Sequence, residues 1–255
     1  MVEYSVDNRI GFITLNRPEK RNALSFEMVT ELKAAFERAD GDEQVKVIVL
    51  KANGESFCAG ADLAYLQQLQ RNSFEENLAD STHLKELFLS IYTSTKVVIA
   101  QVEGHAIAGG CGLATVCDFV FSVPEAKFGY TEVKIGFVPA IVMVFLLRKV
   151  GEQVGKEMLL TGDLYAAEIA REKGLINFVS DTKQIASDVL KFAEKMISGN
   201  SYNSMKVTKQ MIADVPAMKL EEALDFAAHK NAKVRASEDC QKGIAAFLGK
   251  EKIMW

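Results

Sequence analysis

The sequence predicts an α/β layered core followed by a helical appendage, and three observations point there. In the first half, β-branched apolar runs alternate with segments of helical periodicity. Glycine-rich breaks interrupt that alternation at Gly60 and at 109–112. From about residue 183 the runs stop, and amphipathic helical patterns follow one another with short polar connections.

Taken in order, "RIGFITL" (9–15) reads as a strand and "NRPEKRNALS" as a loop holding Pro18 and basic residues. In "FEMVTELKAAFERAD" (26–40), Met28, Leu32, Phe36 and Ala39 recur at helical spacing behind Ser25, whose hydroxyl suits an N-cap. "VKVIVLKA" (45–52) is almost continuously apolar, as in a strand covered on both faces. "NGESFCAGADL" then breaks ahead of a helical stretch that runs, with interruption, to about Thr93. "KVVIAQVEG" is the next strand, followed by the glycine cluster and another helix-like run. Each glycine break is expected directly after a buried strand and before a helix, and ligands of such folds sit at strand carboxyl ends. The segments "KQIASDVLKFAEKMI", "SYNSMKVTKQMIAD", "KLEEALDFAAHKNAKVRA" and "SEDCQKGIAAFLGK" are amphipathic helices. The stripe Leu220, Leu224, Ala227 and Ala228 needs cover, from the core or from another subunit.

Composition narrows the classes of function. With 255 residues, 49% of them hydrophobic, the chain can fill one large core. Its 30 basic residues are scattered among 34 acids for a net charge of -4, so no basic stripe awaits nucleic acid. Cys58, Cys111, Cys117 and Cys240 lack metal-site spacing, which leaves reduced, mostly buried thiols as the expectation. The start, "MVEYSVDNRIGFITL", lacks the features of a signal peptide, and the apolar run 138–147 is too short to span a bilayer. A cytoplasmic protein without membrane or metal partners is expected.

Three readings compete for "GHAIAGGCG". A tight turn letting a helix pack closely on a sheet is the plainest. A dinucleotide site would use Glu132, twenty residues past Gly112, as its ribose acid, but the G-x-G-x-x-G spacing is absent. An oxyanion hole would use amides at the helix start, with a second donor from another glycine-broken strand end; "FCAGADL" supplies one.

"SFCAGADL" and "VEGHAIAGGCGLATVCDF" occur in order with "NRPEKRNAL", "EAKFGYTEVKIGFVP" and "LLTGDLYAAEIAREKGLINFV". Together they resemble the crotonase superfamily, the enoyl-CoA hydratases and isomerases, over almost the whole chain. The resemblance implies a spiral of ββα units over 1–195, binding acyl-CoA, and a C-terminal helical trimerisation region over 196–255. It implies a homotrimer or a dimer of trimers, and no cofactor beyond the coenzyme A of the substrate. It also implies that the amides of Ala61 and Gly109 bind the thioester oxygen, each worth on the order of 3 kcal/mol in the transition state, and that Glu132 exchanges protons. Around them, Ala59, Gly110 and Gly112 line the substrate, and Ala23, Leu24 and Leu63 form the pantetheine and adenine walls. Lys20 and Arg21 meet the CoA phosphates, and Phe247 and Lys250 contact CoA from a neighbouring subunit. Asp62 either borders the substrate or caps the following helix.

One departure is informative. Where two-glutamate hydratases have "GGGCE", this chain has "GGCG", so Gly112 replaces the first catalytic glutamate. Hydration of an enoyl-CoA is the function the resemblance favours, with a likeness to methylglutaconyl-CoA and other branched-acyl hydratases; Δ3,Δ2 isomerisation by one glutamate and a CoA-binding scaffold without turnover are the alternatives. Asp118 is expected to be structural.

Overall fold

The computed structural model describes residues 1–255, apart from the side chain of Leu63. Four consecutive turns of chain each open with two strands. They are β1 (Val2–Asp7), β2 (Ile10–Leu15) and α1 (Phe26–Gly41); β3 (Val47–Ala52), β4 (Ser56–Cys58), α2 (Leu63–Leu69) and α3 (Phe74–Thr93); β5 (Val97–Val102), β6 (His105–Ile107) and α4 (Gly109–Thr115); and β7 (Phe119–Ser122), β8 (Lys127–Gly129), a 3-10 turn over Glu132–Ile135 and α5 (Ala140–Thr161). Then come β9 (Tyr165–Ala166), α6 (Ala167–Glu172), β10 (Phe178–Val179), α7 (Ile185–Gly199), α8 (Tyr202–Asp214), α9 (Leu220–Arg235) and α10 (Glu238–Gly249).

The strands sort into two sheets: β1-β2-β3-β5-β7-β10 and β4-β6-β8-β9. In the second, third and fourth turns the first strand joins the large sheet and the second joins the small one, which is the ββα spiral. Parallel pairing links the turns, with Val47 opposite Val97 in the large sheet and Ala106 opposite Phe128 in the small one. Val47, Ile48, Val49 and Leu50 are wholly buried, as their unbroken apolar run requires. Ser25 caps α1 by accepting from the Met28 amide, and Met28, Leu32, Phe36 and Ala39 all face the core.

Two features differ from the sequence expectation. The glycine breaks do not follow the buried strands directly: the three-residue strands β4 and β6 intervene and carry the chain from the large sheet to the small one. Strands that short leave no periodic signal. Residues Val2–Asp7, read only as an N-terminus without a leader, form an edge strand antiparallel to β2.

The helical pattern after residue 183 is four helices, and position 195/196 lies inside α7. Helix α7 packs Ile185, Val189, Ala193 and Ile197 on the large sheet, whereas α9 and α10 bury no residue among those described. Among the described residues no helix is long and apolar enough to cross a membrane.

Candidate active site

The site forms where the small sheet brings two strand ends together. Gly110 makes that approach possible: a Cβ there would lie 2.1 Å from the Cys58 carbonyl oxygen, so only glycine lets α4 start against β4. Gly60 stands at φ +89, and a Cβ on it would lie 2.9 Å from the Ala108 Cβ and 3.6 Å from the Gly109 nitrogen. The turns carrying Ala61 and Gly109 are therefore in direct contact.

Each turn presents an amide. Leu24 bridges Ala61 in parallel fashion; its amide donates to the Gly60 carbonyl and its own carbonyl accepts from Asp62. The alternation of a strand then directs the Ala61 amide away from Leu24. At the other turn, Ala108 adopts φ 52 and ψ -123, a conformation costly for a residue with a Cβ, immediately before Gly109. Neither the Ala61 nor the Gly109 amide has a hydrogen-bond acceptor among the described residues. Both residues reach the surface, Ala61 exposed and Gly109 partly so.

The carboxylate arrives from the third side. Ala108 donates to the Gly129 carbonyl at the end of β8, and three residues later Glu132 opens the 3-10 turn. Its Oε2 is buried with no hydrogen-bond partner among the described residues. Burial raises its pKa above the ordinary glutamate value, against a smaller opposing pull from its own backbone amide. An unpaired buried carboxylate oxygen is unfavourable to folding and calls for a role.

Position 112 is closed to a second acid. A Cβ on Gly112 would lie 2.2 Å from Val142 Cγ1 and 3.0 Å from Phe88 Cε1. Both neighbours are core residues, so the place of the missing glutamate is filled by hydrocarbon from α5 and α3. The sequence showed the glycine and not what fills the space beside it.

Other expected residues fall on both sides of the site. Ala23 and Leu24 are buried, and Leu24 Cδ1 would sit 3.2 Å from a Cβ on Gly109. Ala59 donates to the Arg21 carbonyl, tying the basic loop to the donor turn, while Lys20 and Arg21 project to solvent. Asp62 caps α2, accepting from the Ala64 and Tyr65 amides at 2.9 and 3.3 Å. Its second oxygen meets Arg17 at 3.1 Å. Leu63 begins α2, and its side chain lies outside the described residues. Phe247, on α10, is 82% exposed, and Lys250 closes that helix at φ 57.

Two residues escaped the sequence reading. Arg17 holds Asp62, and the wholly buried Asn22 accepts from the Arg17 amide and donates to the Asn53 and Ser56 carbonyls. Nothing in their local pattern marks these roles. Asp118 accepts from the Val98 amide and pairs with Lys209 at 2.7 Å, away from the glycine turns, as a structural residue does.

Cavities of 640 and 370 Å³ lie elsewhere, both bordered by Trp255 and residues of α7 and α8. Near Glu132 in the chain, Ile135, Phe137 and Val138 are exposed. Neither cavity includes Ala61, Gly109 or Glu132 in its lining.

A ββα spiral with paired amides at two glycine turns and a carboxylate beside them defines a crotonase-type protein. The profile of the enoyl-CoA hydratase/isomerase family matches residues 5–255, and the chain belongs to that family. A Thermus thermophilus relative whose name assigns it to the enoyl-CoA hydratases is 42% identical over 241 residues, 94% of this chain and 95% of its own. The 2,3-dehydroadipyl-CoA hydratase of Escherichia coli is 31% identical over 247 residues, covering 96% and 94%. The crystal structure of a Mycobacterium smegmatis enoyl-CoA hydratase superposes with a TM-score of 0.94 at 30% identity, over 100% of this chain and 98% of that one.

Proposed function

We propose that this protein adds water across the 2,3 double bond of an enoyl-CoA thioester, with Glu132 as its single proton-transfer carboxylate. The observation that carries the reading is the buried, unpaired Oε2 of Glu132 beside the Gly109 turn. The thioester oxygen accepts from the Ala61 and Gly109 amides. Glu132 takes a proton from water as the oxygen of that water bonds to carbon 3, and the double-bond electrons move onto the thioester oxygen as an enolate. The same carboxyl returns its proton to carbon 2 and the carbonyl reforms. Two oriented donors stabilise the enolate without reorganisation, the largest contribution of such a site.

Coenzyme A enters as part of the substrate, its phosphates toward Lys20 and Arg21. The acyl group of this reading is branched or of the methylglutaconyl kind, which the likeness of "GGCGL" and "EVKIGFVPAIVMVFLLRKVGE" to such hydratases supports. The reading also includes cytoplasmic action and a homotrimer or dimer of trimers, with Phe247 and Lys250 reaching a neighbouring site; the exposed apolar residues of α9 and α10 support that assembly.

One observation favours a second reading. Val142 and Phe88 leave one carboxylate, which suffices to move a proton between carbons 2 and 4 in an isomerase. Crotonyl-CoA, 3-methylglutaconyl-CoA and a 3-enoyl-CoA separate the cases. Hydration of either 2-enoyl substrate, abolished by Glu132→Gln, supports the proposal. Isomerisation without hydration supports the second reading, and CoA binding without turnover supports a scaffold.

A further inference from the structure

Tyr130 is wholly buried, one residue beyond β8 and two before Glu132. Its hydroxyl lies 2.7 Å from Thr115 Oγ1, and Thr115 Oγ1 donates to the Cys111 carbonyl at 2.8 Å. A hydroxyl has one hydrogen. Thr115 uses its own on Cys111, so Tyr130 is the donor to Thr115. The directions then run in one line: Tyr130 donates to Thr115, and Thr115 to the Cys111 carbonyl.

These two bonds join two pieces of the site. Thr115 ends α4 and Cys111 lies two residues past Gly109, so both belong to the helix that presents an oxyanion amide. Tyr130 belongs to the segment that delivers Glu132. Burial pushes the Tyr130 phenol well above its ordinary value, so the Tyr130–Thr115 pair stays uncharged while Glu132 titrates. An uncharged support of fixed donor order holds geometry without supplying a counter-charge that would lower the Glu132 pKa.

We infer that Tyr130 is a positioning residue for the reaction, fixing the separation between the Glu132 carboxylate and the Gly109 amide through Thr115 and Cys111. The inference rests on the role proposed for Glu132. Misplacement of a reacting group by 1 Å costs about 100-fold. Tyr130→Phe keeps the packed ring and removes only the hydroxyl, so its kcat on crotonyl-CoA is expected to fall about 10- to 100-fold, with KM changed less than about twofold.

Thr115→Val removes the acceptor of the Tyr130 hydroxyl with a near-isosteric change. Its kcat falls in the same sense, and the double variant falls no further than the lower single variant. Rates are measured per folded enzyme, with thermal melting alongside, because a purely structural role lowers melting temperature and leaves kcat intact. Wild-type kcat in folded Tyr130→Phe overturns the inference; if that variant does not fold, wild-type kcat in Thr115→Val does so. Glu132→Gln is assayed in parallel: full activity there overturns the site reading itself, a distinct failure.

Discussion

The spiral body and the C-terminal arm are written in similarly amphipathic sequence yet end in opposite states. In the body, Val47–Leu50 and the inner face of α1 are sealed between elements of the same chain. In the arm, α9 and α10 bury nothing among the described residues, and Leu220 and Leu248 are each about three-quarters exposed, at 76% and 75%. Amphipathic periodicity states that a face needs a partner; it does not say where the partner is. The body finds its partner within the spiral, and an exposed face of this kind marks an interaction surface. The proposed assembly covers it with another copy.

The sharpest contrast is chemical. Glu132→Gln is expected to lower kcat by about 1,000-fold, within the range for loss of a general acid–base, whereas Phe247→Ser in the arm leaves kcat per folded site nearly unchanged under saturating substrate. Steady-state kinetics on crotonyl-CoA checks both. Equal losses would erase the distinction between body and arm.

Stability separates the regions next. Leu50→Ala opens a cavity in a sealed sheet and is expected to cost about 2–5 kcal/mol in denaturant unfolding. Leu224→Asp is expected to leave far-UV circular dichroism unchanged and to shift the mass seen by light scattering toward the monomer. An unchanged mass would mean that α9 faces no second copy.

Protonation gives a smaller effect whose sign follows from burial. Folded Glu132 keeps its proton to higher pH than an unfolded glutamate, so the native state binds more protons between the two pKa values. The contribution to stability is fully present below the unfolded value and is lost as pH rises through the folded one. Glu132→Gln therefore melts above wild type at pH 7, and the difference shrinks toward pH 4. In the wild type, the acid limb of kcat/KM falls above the ordinary glutamate value of about 4.3. A limb at or below that value would contradict the buried carboxylate.

The smallest effect is at the donor turn itself. Ala108→Gly relieves a positive φ and is expected to stabilise by about 1 kcal/mol after the added unfolded-state freedom of glycine, read as a shift in denaturant midpoint.

Much of this was legible in sequence where one residue type had one physical use. Ser25 could cap, the run 47–50 could only be interior, and adjacent glycines required a close approach. The five ordered motifs supplied the family, and with it the positions of Ala61, Gly109 and Glu132. Long-range choices were silent. Strands β4 and β6 are three residues each and acquire meaning only as rungs of the small sheet. Val142 and Phe88 lie 30 and 24 residues from Gly112 in sequence, so no local pattern shows that they fill its side-chain space. The Arg17–Asp62 pair and the Tyr130–Thr115 hydrogen bond are invisible for the same reason.

The central claim is that two backbone amides and one carboxylate act on a single thioester. A crystal structure of Glu132→Gln with crotonyl-CoA bound tests it most directly. The account predicts the thioester oxygen about 2.7–3.1 Å from both the Ala61 and Gly109 nitrogens, with the residue 132 side chain over carbons 2 and 3. A thioester seated elsewhere, or bound with residue 132 turned from those carbons, would contradict it.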